Sequence, residues 1–411
     1  MTSRKPISAN CAVRCVVLAS TSACIATADA TLPAAVQQDS AGIAIVSNDL
    51  ARLTTICTVS AAPTVAIGSA DGGEEYELHR VFGATQLRDG SIALVNQGTQ
   101  QVRFYDRAGK FIKSSGRAGR GPGEFSDAFL MWNRPGDTIY VGNYVPWELH
   151  VFAPDGRFVR TVKPTPQYFN NPGGTFVLND GRIVIADDVR AGTRRSPEFT
   201  VRHTKVLLHN ADGTRADSIG AFEDGRWGVV DPALDNNLWS YPFFESFARM
   251  AGGGDRFIVG HSSKAELRVY TIGRTARVTQ IIRFTTGDRR ITAAHVAAEK
   301  KRIMDQYKGR PADQVARLTG SSVSDKRPIA DAFPAFAGIE LGRDGRLWMR
   351  EYTKPGETAV APWVAFSPAG RAVCRASFPR GAELLELGAD YLLVMQTDSL
   401  GVEQVARYTL R

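Results

Sequence analysis

Six times along this chain the same short pattern returns, and that repetition limits the fold more than any other feature. The clearest unit is "LRDGSIALVNQGTQQVRFYDRAGKFIKSSG", Leu87 to Gly116. A tight Asp-Gly turn leads into an apolar run, then come a polar loop, an alternating strand, a second glycine turn and another strand. The second unit is "RPGDTIYVGNYVPWELHVFAPDGRFVRTV". The third runs from "NDGRIVIAD" to "KVLLHNADGTRADSIG", and the fourth is "GGDRFIVGHSSKAELRVYTIGRTARVTQII". The fifth joins "RDGRLWMRE" to "PWVAFSPAGRAVCRASF", and the sixth, "LGADYLLVMQTDSLGVEQVARYTL", stops after three strands at the chain end. The first turn falls at Gly90, Gly136, Gly181, Gly254, Gly345 and Gly388, the second at Gly109, Gly156, Gly213, Gly273 and Gly370. Tight hairpins favour glycine because it reaches positive φ at no steric cost.

Each unit supplies about four short strands, and such a sheet cannot bury both faces alone, so neighbours must stack. The expected fold class is therefore all-β, a six-bladed β-propeller. The sixth unit lacks its outer strand, which "GIAIVSND" (Gly42 to Asp49) or the later "TTICTVS" is expected to supply, so that an N-terminal strand closes the last blade.

The stretches "GRAGRGPGEF", "DGSIALVN…QVRFYDRAGKFI" and "DTIYVGN…ELHVFAPDGRFV" resemble repeats of the NHL type within the TolB-like six-bladed β-propellers. The resemblance covers residues 42–411 as a repeat pattern. It implies the fold and little about activity, since one fold hosts many functions.

The glycine-rich "SSGRAGRGPGEF" (Ser114 to Phe125) raises the alternative of a phosphate-binding loop. Such a loop needs a strand–loop–helix setting and a Gly-Lys-Ser/Thr ending, and Glu124-Phe125 stands there instead. A hinge between the outer strand of one blade and the inner strand of the next is expected.

Residues 1–30 have the plan of a signal peptide. Arg4, Lys5 and Arg14 precede the modest apolar stretch Cys15 to Thr27, and Ala28-Asp29-Ala30 fits a small-x-small cleavage site. A lipoprotein with Cys24 lipidated is the weaker alternative, because Thr21 stands where a branched apolar residue belongs. The mature chain, residues 31–411, is expected to be one exported domain, periplasmic or extracellular, and a monomer. No run of about 18 apolar residues occurs, which excludes a spanning helix. Losing three basic residues and Asp29 with the leader takes the net charge from +8 to +6. The basic residues are scattered apart from "EKKR" (Glu299 to Arg302), which argues against a nucleic-acid partner. The mature chain keeps Cys57 and Cys374. Bridged, they would close a loop of roughly 300 residues, worth up to about 5 kcal/mol on the chain-entropy model; two separate buried thiols are the alternative.

Two stretches interrupt the pattern. "ITAAHVAAEKKRIMDQYKG" and "PADQVARLTG" read as helices, a small insertion at 291–320 before the fifth unit, with Thr292 as N-cap and Val296, Ile303 and Tyr307 on one face. "WGVVDPALDNNLWSYPFFES" gathers Trp227, Trp239, Tyr241 and Phe243 in a segment longer than an interblade link needs; packing into the wedge between blades is the preferred reading, and ligand or partner contact by a binding loop is the alternative.

Aligning the second strand of each unit puts a polar residue at every strand end: Asn96, Asn143, Asp187, His261, Glu351 and Gln396. They would form a polar circle on one face of the ring. Local capping of strand-to-strand loops accounts for all six. The functional alternative is convergence on a ligand or on Ca²⁺, which takes six to eight oxygens, as the likeness to lactonase-like propellers implies. No HExxH, G-x-S-x-G or zinc-spaced Cys pair survives in the mature chain. The preferred reading is a binding or scaffolding module, without cofactor, that recognises a protein, peptide or glycan at the bacterial envelope. The alternative is a Ca²⁺-dependent hydrolase or lyase with its site at the centre of one face.

Overall fold

The computed structural model describes residues 35–168, 174–188, 198–233, 239–398 and 401–411, so the expected leader lies outside them. These residues form six sheets. In the first, Val81–Gln86, Ile92–Asn96, Gln101–Tyr105 and Phe111–Ser115 pair antiparallel in chain order. The second repeats this with Ala128–Arg134, Thr138–Asn143, Glu148–Phe152 and Phe158–Val162. The third holds Gly174–Val177, Ile183–Asp188, Thr200–His209 and Arg215–Val229, extended by Trp239–Ser240. The fourth holds Ala248–Gly253, Arg256–His261, Glu266–Ile272 and Ala276–Phe284. Gly338–Leu341, Leu347–Arg350, Trp363–Phe366 and Ala372–Ala376 make the fifth. Glu383–Leu387, Tyr391–Thr397 and Glu403–Thr409 make the sixth, with Val65–Ile67 as its fourth strand.

The first strand of each sheet lies beside that of the next from the first sheet to the fifth, and Glu383–Leu387 returns to Val81–Gln86. The fifth and sixth are joined where Arg343 N donates to Leu387 O at 2.9 Å. Between the sheets lie six apolar clusters in the same cyclic order. Val95, Phe104 and Phe125 fill the first–second gap, and Trp147, Val162 and Ile185 the next. Val184, Phe257 and Val259 fill the third, and Leu267, Phe336 and Phe366 the fourth. Trp348, Leu392 and Tyr408 fill the fifth, and Ile67, Leu94 and Leu393 close the circle. Fully burying one such side chain contributes about 1.5–3 kcal/mol. Because each cluster draws on two sheets, no sheet holds its apolar faces alone.

The closing strand differs from expectation. Val65–Ile67 completes the sixth sheet, whereas Ile43–Asn48 runs parallel to Ala276–Phe284 on the outer edge of the fourth. "TTICTVS" contributes only isolated bridges, Ile56 to Arg375 and Val59 to Leu410. The N-terminal segment is therefore a strap along the outer edges of sheets four, five and six. Burial selects this strand: Ile67 is fully buried in the cluster it shares with the first sheet. Cys57 and Cys374 are disulfide-bonded, with Cα atoms 5.5 Å apart.

The glycine-rich stretch joins Phe111–Ser115 to Ala128–Arg134, as a hinge does. Gly116 takes φ +78°, Ala118 bridges to Phe125, and Arg117 pairs with Glu124 at 2.6 Å. Two of the expected turn glycines do not take positive φ: Gly388, whose bare Cα leaves room for the Tyr391 ring, and Gly273. Between the fourth and fifth sheets the chain forms α1 (Ala293–Asp305) and α2 (Ala312–Val323), the latter ending three residues beyond the expected 320. Thr292 caps α1 by accepting from His295 N. Val296 and Ile303 pack on Phe243, Phe244 and Phe333.

Candidate ligand cavity

The first strands of the sheets carry the side chains that line the middle of the ring. Two cavities lie there. One, of about 390 Å³, is walled by Gly83, Met131, Arg134, Phe176, Gly252, Glu340, Arg343 and Glu386, so all six first strands or their ends reach it. The other, of about 580 Å³, lies against Phe176, Asp224, Trp227, Tyr241, Phe247, Arg249, Glu340 and Arg350. Phe176, Met250 and Glu340 belong to both.

The wall of the larger cavity is aromatic, and ion pairs hold it in place. Arg226 grips the buried Glu245 through Nε at 3.1 Å and Nη2 at 2.8 Å, which pins the end of Arg215–Val229 and thereby Trp227. Trp227 meets Tyr241 at 5.2 Å and Phe247 at 6.1 Å, and Tyr241 stands edge-on to Phe247 at 5.1 Å. Arg327, just after α2, donates to Tyr241 O at 2.8 Å and to Ser322 O at 2.8 Å, while its guanidinium covers Phe243 at 4.2 Å. The Arg202 guanidinium lies over both Trp239, 3.8 Å from its ring centre, and Trp227, at 5.2 Å.

Charged side chains share the lining, and the Arg249 guanidinium lies over the Phe247 ring at 5.5 Å. Asp224 accepts from Ala248 N at 3.1 Å. The Arg249 side chain has no hydrogen-bond partner among the described residues, and its Nε is buried. Loss of hydration lowers its pKa; Asp224 opposes this and the Arg350 charge adds to it. Glu340 is open to water within the channel but ringed by protein, and that surrounding pushes its carboxyl up to about 7 against the pull of Arg350. Deeper, Glu386 accepts from Thr85 Oγ1 at 2.5 Å, Gln86 N at 2.9 Å and Tyr391 Oη at 2.7 Å, with Arg343 3.7 Å away. Burial still raises its pKa. Arg134 has a buried Nε without a partner, and lost hydration, aided by the Arg343 charge, brings it down to about 10.

The six polar strand ends do not bond to one another. Asn96 accepts from His79 N at 2.8 Å and donates to Glu77 O at 3.1 Å. Asn143 accepts from Ser126 N and Asp127 N, each at 3.0 Å. His261 meets Ser263 Oγ at 2.6 Å. These three cap local backbone or loop groups. Glu351 pairs instead with Arg375 at 3.2 Å, Gln396 accepts from Tyr408 Oη at 3.0 Å, and Asp187 lies opposite Lys205 with its pKa raised by burial. Among the described residues no three His, Cys, Asp or Glu side chains come together as a metal group.

Trp227 and Tyr241 therefore line the cavity, whereas Trp239 does not and meets Trp227 through Arg202. The charged residues Asp224, Arg249, Glu340, Arg350, Arg134, Arg343 and Glu386 escaped the sequence reading, which aligned second strands. The signal lay one strand earlier, in charges such as Arg249 of "ARMAGG" and Glu340 of "GIEL" on otherwise small or apolar strands.

A closed circle of antiparallel sheets around an axial channel is the architecture of a β-propeller. No protein-family model matches this sequence, and no curated protein is significantly similar to it. Among solved structures, a member of the DUF4221 family from Bacteroides vulgatus is 11% identical, over 87% of this chain and 99% of that one, with a TM-score of 0.47. A gluconolactonase from Xanthomonas campestris is 12% identical over 82% and 87%, with a TM-score of 0.40. The PQQ-bound aldose sugar dehydrogenase of Streptomyces coelicolor is 11% identical over 87% and 100%, with a TM-score of 0.41. None of the described helices is long and apolar enough to cross a membrane.

Proposed function

We propose that this protein is an exported six-bladed β-propeller of the NHL or TolB-like kind that works as a binding module. It takes part of a protein, peptide or glycan of the bacterial envelope into the mouth of its axial channel. The observation that carries this reading is the cavity of about 580 Å³ lined by Trp227, Tyr241 and Phe247 together with Arg249, Arg350 and Glu340. An apolar wall facing a few converging polar groups is the usual make-up of a small-ligand site. Aromatic rings also present flat apolar area at little cost in side-chain entropy.

The test is a fluorescence titration of the mature protein against defined soluble peptides and envelope oligosaccharides. A saturable change is expected, weakened about tenfold or more by Trp227→Ala or Tyr241→Ala. Binding that both variants leave untouched, or no saturable binding at all, would refute the proposal.

A further inference from the structure

The arginines of the channel are unevenly satisfied, and this points to the chemistry of the ligand. Arg343 is engaged: it donates to Gln86 O and lies 3.7 Å from Glu386. Among the described residues the side chains of Arg134 and Arg249 have no hydrogen-bond partner and the Nε of each is buried, although the Arg249 guanidinium lies over the Phe247 ring at 5.5 Å. The exposed side chain of Arg350 has no hydrogen-bond partner among the described residues either and leans over Trp363 at 5.8 Å. Arg134 reaches across the ring until Nη1 lies 3.8 Å from where a Cβ on Gly253 would stand. Buried donors are paired in the great majority of cases, and a buried guanidinium nitrogen left bare is costly. The acids in the same cavities do not satisfy them. Glu386 is occupied by Thr85, Gln86 and Tyr391, Asp224 holds the Ala248 amide, and Glu383 is exposed. No ion pair within 4 Å joins Arg134, Arg249 or Arg350 to any described acid.

We infer that the ligand is acidic and that its carboxylate enters the channel to bind Arg249 and Arg350 at the mouth, with Arg134 drawing the charge inward. This rests on the proposed binding role of the aromatic mouth. A carboxylate supplies the planar pair of acceptors that guanidinium donors match. Glu340, standing between the two cavities, is the built-in competitor. Its neighbours there are Arg350 from its own sheet, Arg249 from the fourth, Asp224 and Tyr241 near the mouth, and Arg134, Arg343, Glu383 and Glu386 within. An incoming carboxylate raises the cost of a charged Glu340, so binding takes up a proton there. Affinity therefore falls as pH rises through about 7.

The experiment is calorimetric titration of the mature protein with two matched pairs. One is an alanine tripeptide with free or amidated C-terminus, the other a glucuronate trisaccharide or its methyl ester. In at least one pair the free acid is expected to bind about tenfold or more tightly than its neutral partner. The pair that does so identifies a peptide end or a uronic acid as the source. Arg249→Met and Arg134→Met should erase that preference, Arg249→Lys should keep part of it, and Glu340→Gln should remove the pH dependence. Thermal melts screen the variants for folding, and the lysine variant stands in if a methionine variant fails to fold. Acid and neutral forms binding equally, with only Trp227→Ala or Tyr241→Ala weakening them, would overturn the acidic ligand and leave the mouth reading intact. No binding by any of the four overturns both.

Discussion

Cys374, on the outer strand of the fifth sheet, is bonded to Cys57 in the N-terminal strap across a separation of 317 residues. Strap and sheet are further joined by Arg375, which donates to Leu53 O at 2.6 Å and Leu50 O at 2.8 Å. The bond thus fixes the segment that supplies Val65–Ile67 to the sixth sheet, and it acts as a clasp on the ring. Cys57→Ser is expected to cost about 2–5 kcal/mol in denaturant unfolding. Alkylation of denatured protein without reductant should modify neither cysteine, and two labelled thiols would rule the clasp out.

Asn48 performs a similar task without a covalent bond. Its Nδ2 donates to Arg283 O at 3.2 Å and Gly370 O at 3.0 Å, while Oδ1 accepts from Ala372 N at 2.8 Å. One buried amide therefore ties the outer strands of the fourth and fifth sheets. Asn48→Ala strands those backbone groups and should lower stability by about 1–3 kcal/mol. Asn48→Asp keeps the acceptor but loses both donor bonds, so it should not restore wild-type stability in the same unfolding assay.

The repeat was legible because it is carried by local chemistry, hairpin glycines and alternating strands, which act over a few residues. Six sheets, two helices and the hinge follow from such signals. The partner of a lone strand does not: "GIAIVSND" and "TVAIG" are both good strands, and only tertiary burial of Ile67 selects the second. The aromatic stretch was visible by composition, and it put Trp227 and Tyr241 at the cavity. Arg249, Glu340 and Arg350 were not, because the fourth and fifth sheets, separated in sequence by the two helices, must pack side by side before those charges meet. Asn96 and Asn143 show the converse, where a pattern shared by several units marks what a repeat needs in order to fold.

The hinge makes a prediction that separates it from a phosphate loop. Gly116 sits at φ +78°, and a Cβ there would lie 2.6 Å from the Phe125 ring, which is itself fully buried. Gly116→Ala should destabilise the protein by more than about 1 kcal/mol, since both the backbone and the packing oppose it. Arg120→Ala, by contrast, should change stability by no more than about 0.5 kcal/mol, as an exposed substitution usually does. A phosphate-dependent rise in melting temperature that Arg120→Ala abolishes would favour the phosphate loop.

Glu340 gives the pH prediction. Its carboxyl is raised from 4.5 to about 7, chiefly by the protein around it. Between those values the folded protein holds a proton that the unfolded chain has released, so this group makes stability fall as pH rises across the window. Asp187 and Glu386 are shifted upward too and act in the same direction, whereas Glu148 and Glu266 are lowered and act in the opposite one. The total slope is therefore a poor reporter, and the difference between wild type and Glu340→Gln is the quantity to measure. That variant cannot ionise, so unfolding free energies of the two proteins should draw apart in its favour from pH 4.5 upwards and run parallel above about 7. Curves parallel throughout would show that Glu340 titrates as it does in the unfolded chain, and the proton linkage assigned to ligand binding would go with it.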